Sequence, residues 1–102
     1  MNAIKVLHNE IDCSAGKRIL DARPTRVWAI IQNNDAANVS DVFFGAEAYT
    51  AGVGGFHLNP SGMGATLTIP DTFIIIDANH PWAGEVFATA SSVMTVVEFY
   101  SD

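Results

Sequence analysis

Three residues near the start of the chain carry side chains of the types that bind metal ions. His8, Glu10 and Asp12 stand at every second position. Because alternate residues of a β-strand project from the same face, an extended segment would bring one imidazole and two carboxylates within reach of a single cation. The same alternation also arises when Leu7 and Ile11 face a core and the polar residues face water. Since that arrangement needs no metal, we expect neither a metal nor another cofactor.

The potential nucleophiles lack the neighbours that catalysis requires. Cys13 is five residues from His8, and positions five apart on a strand project to opposite faces. Ser61 lies in the turn sequence Pro60-Ser61-Gly62, without the spacing of a nucleophile elbow. The glycines fit no phosphate-loop spacing. We therefore predict a protein that is not an enzyme.

Two tryptophans are candidates for contact with a sugar or a protein partner. Trp82 stands in a segment with Asn79, Pro81 and Gly84, which is typical of a turn, so we predict an exposed contact residue there. Trp28 lies in an apolar run, and we predict that it is part of the core.

Charge is divided unevenly along the chain. The first 26 residues hold every Lys and Arg against three carboxylates, whereas the remaining 76 hold eight carboxylates and no basic side chain. Residues 1–26 are therefore predicted to form a basic segment that docks on acidic surface of a neighbour. The candidate interaction residues in this segment are Lys5, Lys17, Arg18, Arg23 and Arg26.

Composition favours an associating protein. The 102 residues suffice for one domain, residues 1–102, and 49% of them are hydrophobic. Only 16% are charged, against about 25% in an ordinary soluble domain. A folded monomer of this size would expose roughly 5,600 Å², so we predict a homo-oligomer that buries apolar surface. The net charge of −6 argues against nucleic acid, and no apolar run is long enough to cross a membrane.

Short apolar runs rich in Val, Ile, Phe and Thr recur along the chain, and Gly, Asn, Asp or Pro closes each of them. The runs predict strands at 3–8, 17–22, 26–32, 39–44, 55–59, 65–69, 72–77, 84–88 and 93–100. The last of these is apolar on both faces and is therefore predicted to be central or covered. The fold class that follows is all-β: a single-domain antiparallel β-sandwich, jelly-roll-like, or a small barrel of about eight strands.

The order of several segments resembles small β-rich structural proteins of tailed bacteriophages. Segments 26–34, 42–48, 56–58 and 96–98 read RVWAIIQNN, VFFGAEA, FHL and VVE, and the resemblance covers residues 18–100. It implies a virion component assembled in the host cytoplasm, such as a head decoration or cement protein or a head-fibre or tail subunit. Its partners would be further copies of the chain, with a trimer favoured, and the major capsid protein or another virion protein. The resemblance assigns no functional residue.

Two alternatives remain open from the residues. One is a binding module of the same fold that uses Trp82 and nearby loops to hold a carbohydrate or a receptor. The other is a small β-barrel enzyme that uses His8, Glu10 and Asp12 with a metal.

Overall fold

The computed structural model describes residues 3–45, 55–61 and 71–101. Within these ranges the regular structure consists of strands, and no helix occurs. The eight strands are β1 (Ile4–Ile11), β2 (Lys17–Leu20), β3 (Arg26–Asn33), β4 (Ser40–Phe44), β5 (Phe56–Leu58), β6 (Phe73–Ile76), β7 (Val86–Ala88) and β8 (Met94–Ser101).

The strands form two antiparallel sheets that pack face to face. Sheet A has the order β1-β8-β3-β6, and sheet B has the order β2-β7-β4-β5. All neighbouring strands run antiparallel. Each sheet takes strands from both halves of the chain, which is the arrangement of a jelly roll. The predicted all-β fold is confirmed, as a sandwich of two sheets.

Hydrophobic periodicity located the strands well. Eight of the nine predicted runs form strands, with ends that differ by three residues at most. The ninth, at 65–69, lies outside the described residues. The prediction that the last strand is central is also confirmed, since β8 lies between β1 and β3.

The core lies between the two sheets, where alternate residues of each strand point inward. On β8, for example, Met94 and Val96 are buried in the core, while Val97 points to the other face of sheet A. Among the described residues, the core cluster contains twelve buried side chains: Cys13, Ile19, Leu20, Ala29, Ile31, Val42, Leu58, Ile76, Val86, Ala88, Met94 and Val96.

A β-bulge near the start of β3 changes which side chains face outward. Arg26 pairs with Tyr100, but Trp28 pairs with Phe99, so Val27 is an extra residue on β3. Arg26 points inward, and Val27 and Trp28 both lie on the outer face of sheet A. The prediction that Trp28 is part of the core is therefore wrong: it is half-buried and packs edge-on against Phe99, with ring centroids 5.1 Å apart.

A buried ion cluster connects β3 to β8 at this end of the sandwich. The side chains of Arg26 and Glu98 are only 1% and 3% exposed, and Arg26 Nε donates to Glu98 Oε2 at 2.7 Å. The Arg26 guanidinium also donates to the backbone carbonyls of Trp82, at 2.8 Å, and Asp21, at 2.5 Å. Arg23 Nε lies 3.1 Å from the same carboxylate oxygen. The Glu98 carboxylate thus pairs with both arginines, and Arg26 connects it to the loops that contain Asp21 and Trp82.

A second polar cluster stands at the opposite end of β3. The Asn33 side chain is fully buried, and its amide donates to the carbonyls of Asn38 and Leu58 at 2.8 and 2.9 Å. The Asp35 carboxylate accepts the N–H groups of Ala37, Asn38 and Ser92 at 2.8 to 2.9 Å. These bonds fix the β3–β4 loop against the turn that precedes β8.

Acid should weaken the fold through Asp35. Three backbone N–H donors and the Ser92 hydroxyl hold the pKa of the Asp35 carboxyl well below its ordinary value. Because the folded pKa is depressed, the carboxylate stabilises the fold fully above about pH 3.9 and loses that contribution as the pH falls below it. We expect Asp35→Asn to be less stable than the wild type at neutral pH and to lose less further stability on acidification.

Urea midpoints measured from about pH 6 down to about pH 3 check this prediction. Glu10→Gln is the control, since Glu10 is an exposed carboxylate on β1. Parallel acid profiles for the wild type and Asp35→Asn would contradict the assignment.

Candidate interaction surface

The outer face of sheet A is unusually poor in charge. The strand registers place on it Ile4, Val6, His8 and Glu10 from β1, Thr95, Val97, Phe99 and Ser101 from β8, Val27, Trp28, Ile30 and Gln32 from β3, and Phe73 and Ile75 from β6. In this part of the described chain there is one carboxylate and no Lys or Arg. A face of this composition is typical of a protein–protein contact.

The most exposed part of this face is an apolar patch at the Ile4 end of β1. We call Ile4, Val6, Val27, Trp28 and Phe99 the outer patch. Ile4 is 56% exposed, and Val6 and Val27 are both 52% exposed. The bulge on β3 contributes to the patch, because without the extra residue either Val27 or Trp28 would point into the core.

Strand β1 extends the outer patch to the edge of the sheet. Its residues are exposed from Ile4 to Glu10, on both faces of the strand, and Leu7 on the inner face is 38% exposed. On one side β1 pairs with β8 along its whole length, and within the described residues no strand pairs with its other side.

The outer face of sheet B differs in character. The Asp41 and His57 side chains form an ion pair across β4 and β5 when His57 is protonated. On β2, at the other edge of the sheet, Arg18 lies 3.3 Å from Glu85. These ionic pairs make this face more polar than that of sheet A, so sheet A offers the better apolar contact surface.

The five basic residues do not form a single docking surface. Lys5, Lys17 and Arg18 are exposed on β1 and β2, and Arg18 lies 3.1 Å from Asp21. Arg23 is 25% exposed and stacks over the ring of Tyr100, 4.1 Å from its centroid. Arg26 is buried, which leaves no side-chain surface with which it could dock on a neighbour. The described part of this segment, residues 3–26, thus contributes strands to both sheets.

Trp82 is half-buried, whereas the sequence predicts an exposed residue. Its indole N–H donates to the Glu85 carbonyl at 3.0 Å, and its ring packs edge-on against Phe44, with centroids 5.7 Å apart. With Phe56, Ile74 and Pro81 it lines an apolar groove of about 450 Å³. Asn79, Pro81 and Gly84 around Trp82 indicated a turn, but they could not show that the ring packs back against the core.

Because Trp82 packs against the core, Trp82→Ala should destabilise the protein. We expect a loss of about 2 kcal/mol, less than for a fully buried tryptophan. Chemical denaturation measures the loss, and Trp82→Phe should recover part of it by keeping a ring beside Phe44. Equal stabilities of Trp82→Ala and the wild type would contradict this packing role.

The metal-ligand pattern does not converge. His8 and Glu10 share the outer face of β1, but Asp12 lies beyond the end of the strand and accepts from Ser14. No group of three His, Cys, Asp or Glu side chains placed to hold a metal occurs within residues 3–45, 55–61 and 71–101. Cys13 is buried, and that burial raises the pKa of its thiol.

Comparisons with known proteins give no relative: no family model, no curated protein and no solved structure matches the chain. The part of the chain that the structure describes has no helix long and apolar enough to span a membrane. What these residues do define is a class of fold, a jelly-roll sandwich with an exposed apolar patch on one sheet.

Proposed function

We propose that this chain is a non-enzymatic structural subunit that associates with further copies of itself through sheet A. The observation that carries the proposal is the outer patch, in which three aliphatic side chains are more than half exposed. Burying a half-exposed Val or Ile contributes about 1 kcal/mol. A few such contacts from each copy outweigh the weak repulsion between molecules of net charge −6.

The setting we propose is the virion of a tailed bacteriophage, with the chain as a head decoration or cement protein, bound to the major capsid protein as a homo-oligomer. Two observations support it. The strand and turn order resembles small phage structural proteins, and jelly rolls are common among viral capsid domains.

Sedimentation velocity tests the self-association. We expect a particle of several subunits of 10.9 kDa each as the concentration rises toward about 1 mM. A single 10.9 kDa species throughout that range would overturn it. A low-resolution image of the native assembly tests the setting: a small knob on a capsid lattice is expected, and a location in a membrane or an enzyme complex would exclude it.

The groove beside Trp82 favours a second candidate, a binding module for a carbohydrate or a receptor. Aromatic and proline side chains line it, as in many ligand pockets. A glycan array should then give a signal with the wild type and with Trp28→Ala but not with Trp82→Ala, at a temperature where circular dichroism shows all three folded. An unchanged signal for Trp82→Ala would reject this candidate.

A further inference from the structure

Among the described strands β1 is an edge of sheet A, and apart from Lys5 it lacks the features by which β-proteins protect such edges. Its pairing with β8 runs unbroken from Ile4 opposite Ser101 to Ile11 opposite Met94, without a bulge. The strand contains no proline, and its two fully charged residues, Lys5 and Glu10, stand toward its ends. A long, regular and sparsely charged edge is a template for another strand.

We propose that two copies of the chain pair edge to edge through β1, antiparallel about a two-fold axis perpendicular to sheet A. This proposal rests on the proposed self-association and names the contact that produces it. The result is one continuous eight-stranded sheet in which each copy contributes the four described strands of sheet A.

A second copy fits this edge for a geometric reason. An axis perpendicular to the sheet reverses the strand direction and keeps each face on the same side, so the two outer patches lie on one surface. Only residues that project from the same face can then pair. The axis therefore passes between the two copies of one residue, which pairs with itself. Centring on Leu7 pairs Val6 with His8 of the second copy and keeps Ile4 within the paired segment.

Charge is compatible with the antiparallel direction. Lys5 and Glu10 stand near opposite ends of β1. With Leu7 on the axis, Lys5 lies opposite Asn9 and Glu10 opposite Ile4 of the second copy, so no like charges stand opposite each other.

The size of the contact predicts its strength. With Leu7 on the axis the paired segment is residues 4–10, about 23 Å long and one strand wide. Such a contact is smaller in area than the roughly 800 Å² per partner of a standard interface. The dimer is therefore expected to dissociate at micromolar concentrations, and its mass should depend on protein concentration.

Two lysine variants of the full chain test the pairing. Val6 and Val27 are the same residue type, on the same outer face and both 52% exposed, but Val6 is on the edge strand and Val27 is two strands away. We expect the wild type to approach twice 10.9 kDa in sedimentation velocity. Val6→Lys should raise the dissociation constant at least about tenfold, because it places two cations across the axis. Val27→Lys should leave the constant within about twofold of the wild type.

A mixing experiment guards against a variant that merely misfolds. Val6→Lys and Val6→Glu should each be monomeric alone, and an equal mixture should recover the dimer, since the two Val6 side chains are diagonal neighbours across the axis. Failure of the mixture to associate would overturn the pairing.

Other outcomes separate this pairing from the proposed function. If Val27→Lys dissociates the particle and Val6→Lys does not, copies associate through the outer patch face to face; self-association stands and edge pairing falls. A particle of three subunits would likewise contradict edge pairing and leave self-association standing, because a two-fold contact forms a closed dimer of two subunits. A wild type that stays at 10.9 kDa up to about 1 mM overturns both.

Discussion

Replacing Glu98 by alanine should cost about 3 to 5 kcal/mol of the free energy of unfolding. The carboxylate is the ion partner of two arginines, and the Arg26 side chain is 1% exposed, so the variant leaves a buried cation without its carboxylate partner. A small domain has a total stability of about 5 to 15 kcal/mol. The melting temperature should fall by at least about 12 °C, which differential scanning calorimetry would measure.

A matched control and a double variant isolate the charge effect. Glu10→Ala removes an exposed glutamate from β1 and should change stability by less than about 0.5 kcal/mol. Glu98→Met combined with Arg26→Met should be more stable than Glu98→Ala, because both buried charges are then absent. Equal melting temperatures for Glu98→Ala and Glu10→Ala would show that the cluster contributes nothing.

Asn33→Ala should cost about 3 kcal/mol. The variant leaves the carbonyls of Asn38 and Leu58 without the amide donor, and each buried group that loses its partner costs about 1 to 3 kcal/mol. The Asp35 N–H also loses the Asn33 oxygen that accepts it at 3.1 Å. Urea denaturation followed by tryptophan fluorescence measures the loss.

The control for this variant is Asn9→Ala, which changes an exposed asparagine on β1. Asn33→Asp should be at least as damaging as Asn33→Ala, because a carboxylate would face two carbonyl oxygens. A small effect of Asn33→Asp would mean that the amide bonds at the end of β3 are dispensable.

The strands were predictable because apolar alternation and turn residues are local signals. The apolar pattern at 93–100 predicted a central strand. The turn residues Asn33 and Gly45 predicted ends of β3 and β4 that lie within one residue of those in the structure. The alternation at His8, Glu10 and Asp12 also predicted side chains that face water, and all three are exposed.

The contact surface was less predictable because it depends on non-local geometry. The bulge that turns Trp28 outward arises from the register between β3 and β8, which no single segment encodes. Arg26 resembles a surface cation in the sequence, and only the approach of Glu98, 72 positions later, makes it an internal residue. The exposure of Ile4 and Val6 likewise follows from the position of β1 at the sheet edge.

The two polar clusters at the ends of β3 have a consequence for alignment of the strands. Sliding β3 by two residues along β8 would keep every side chain on its own face, so the hydrophobic pattern alone tolerates that error. The same slide would carry Arg26 about 7 Å from Glu98 and draw Asn33 equally far from the carbonyls that it binds. The polar residues at both ends of β3 thus distinguish the native register from a two-residue shift that hydrophobic packing alone would tolerate.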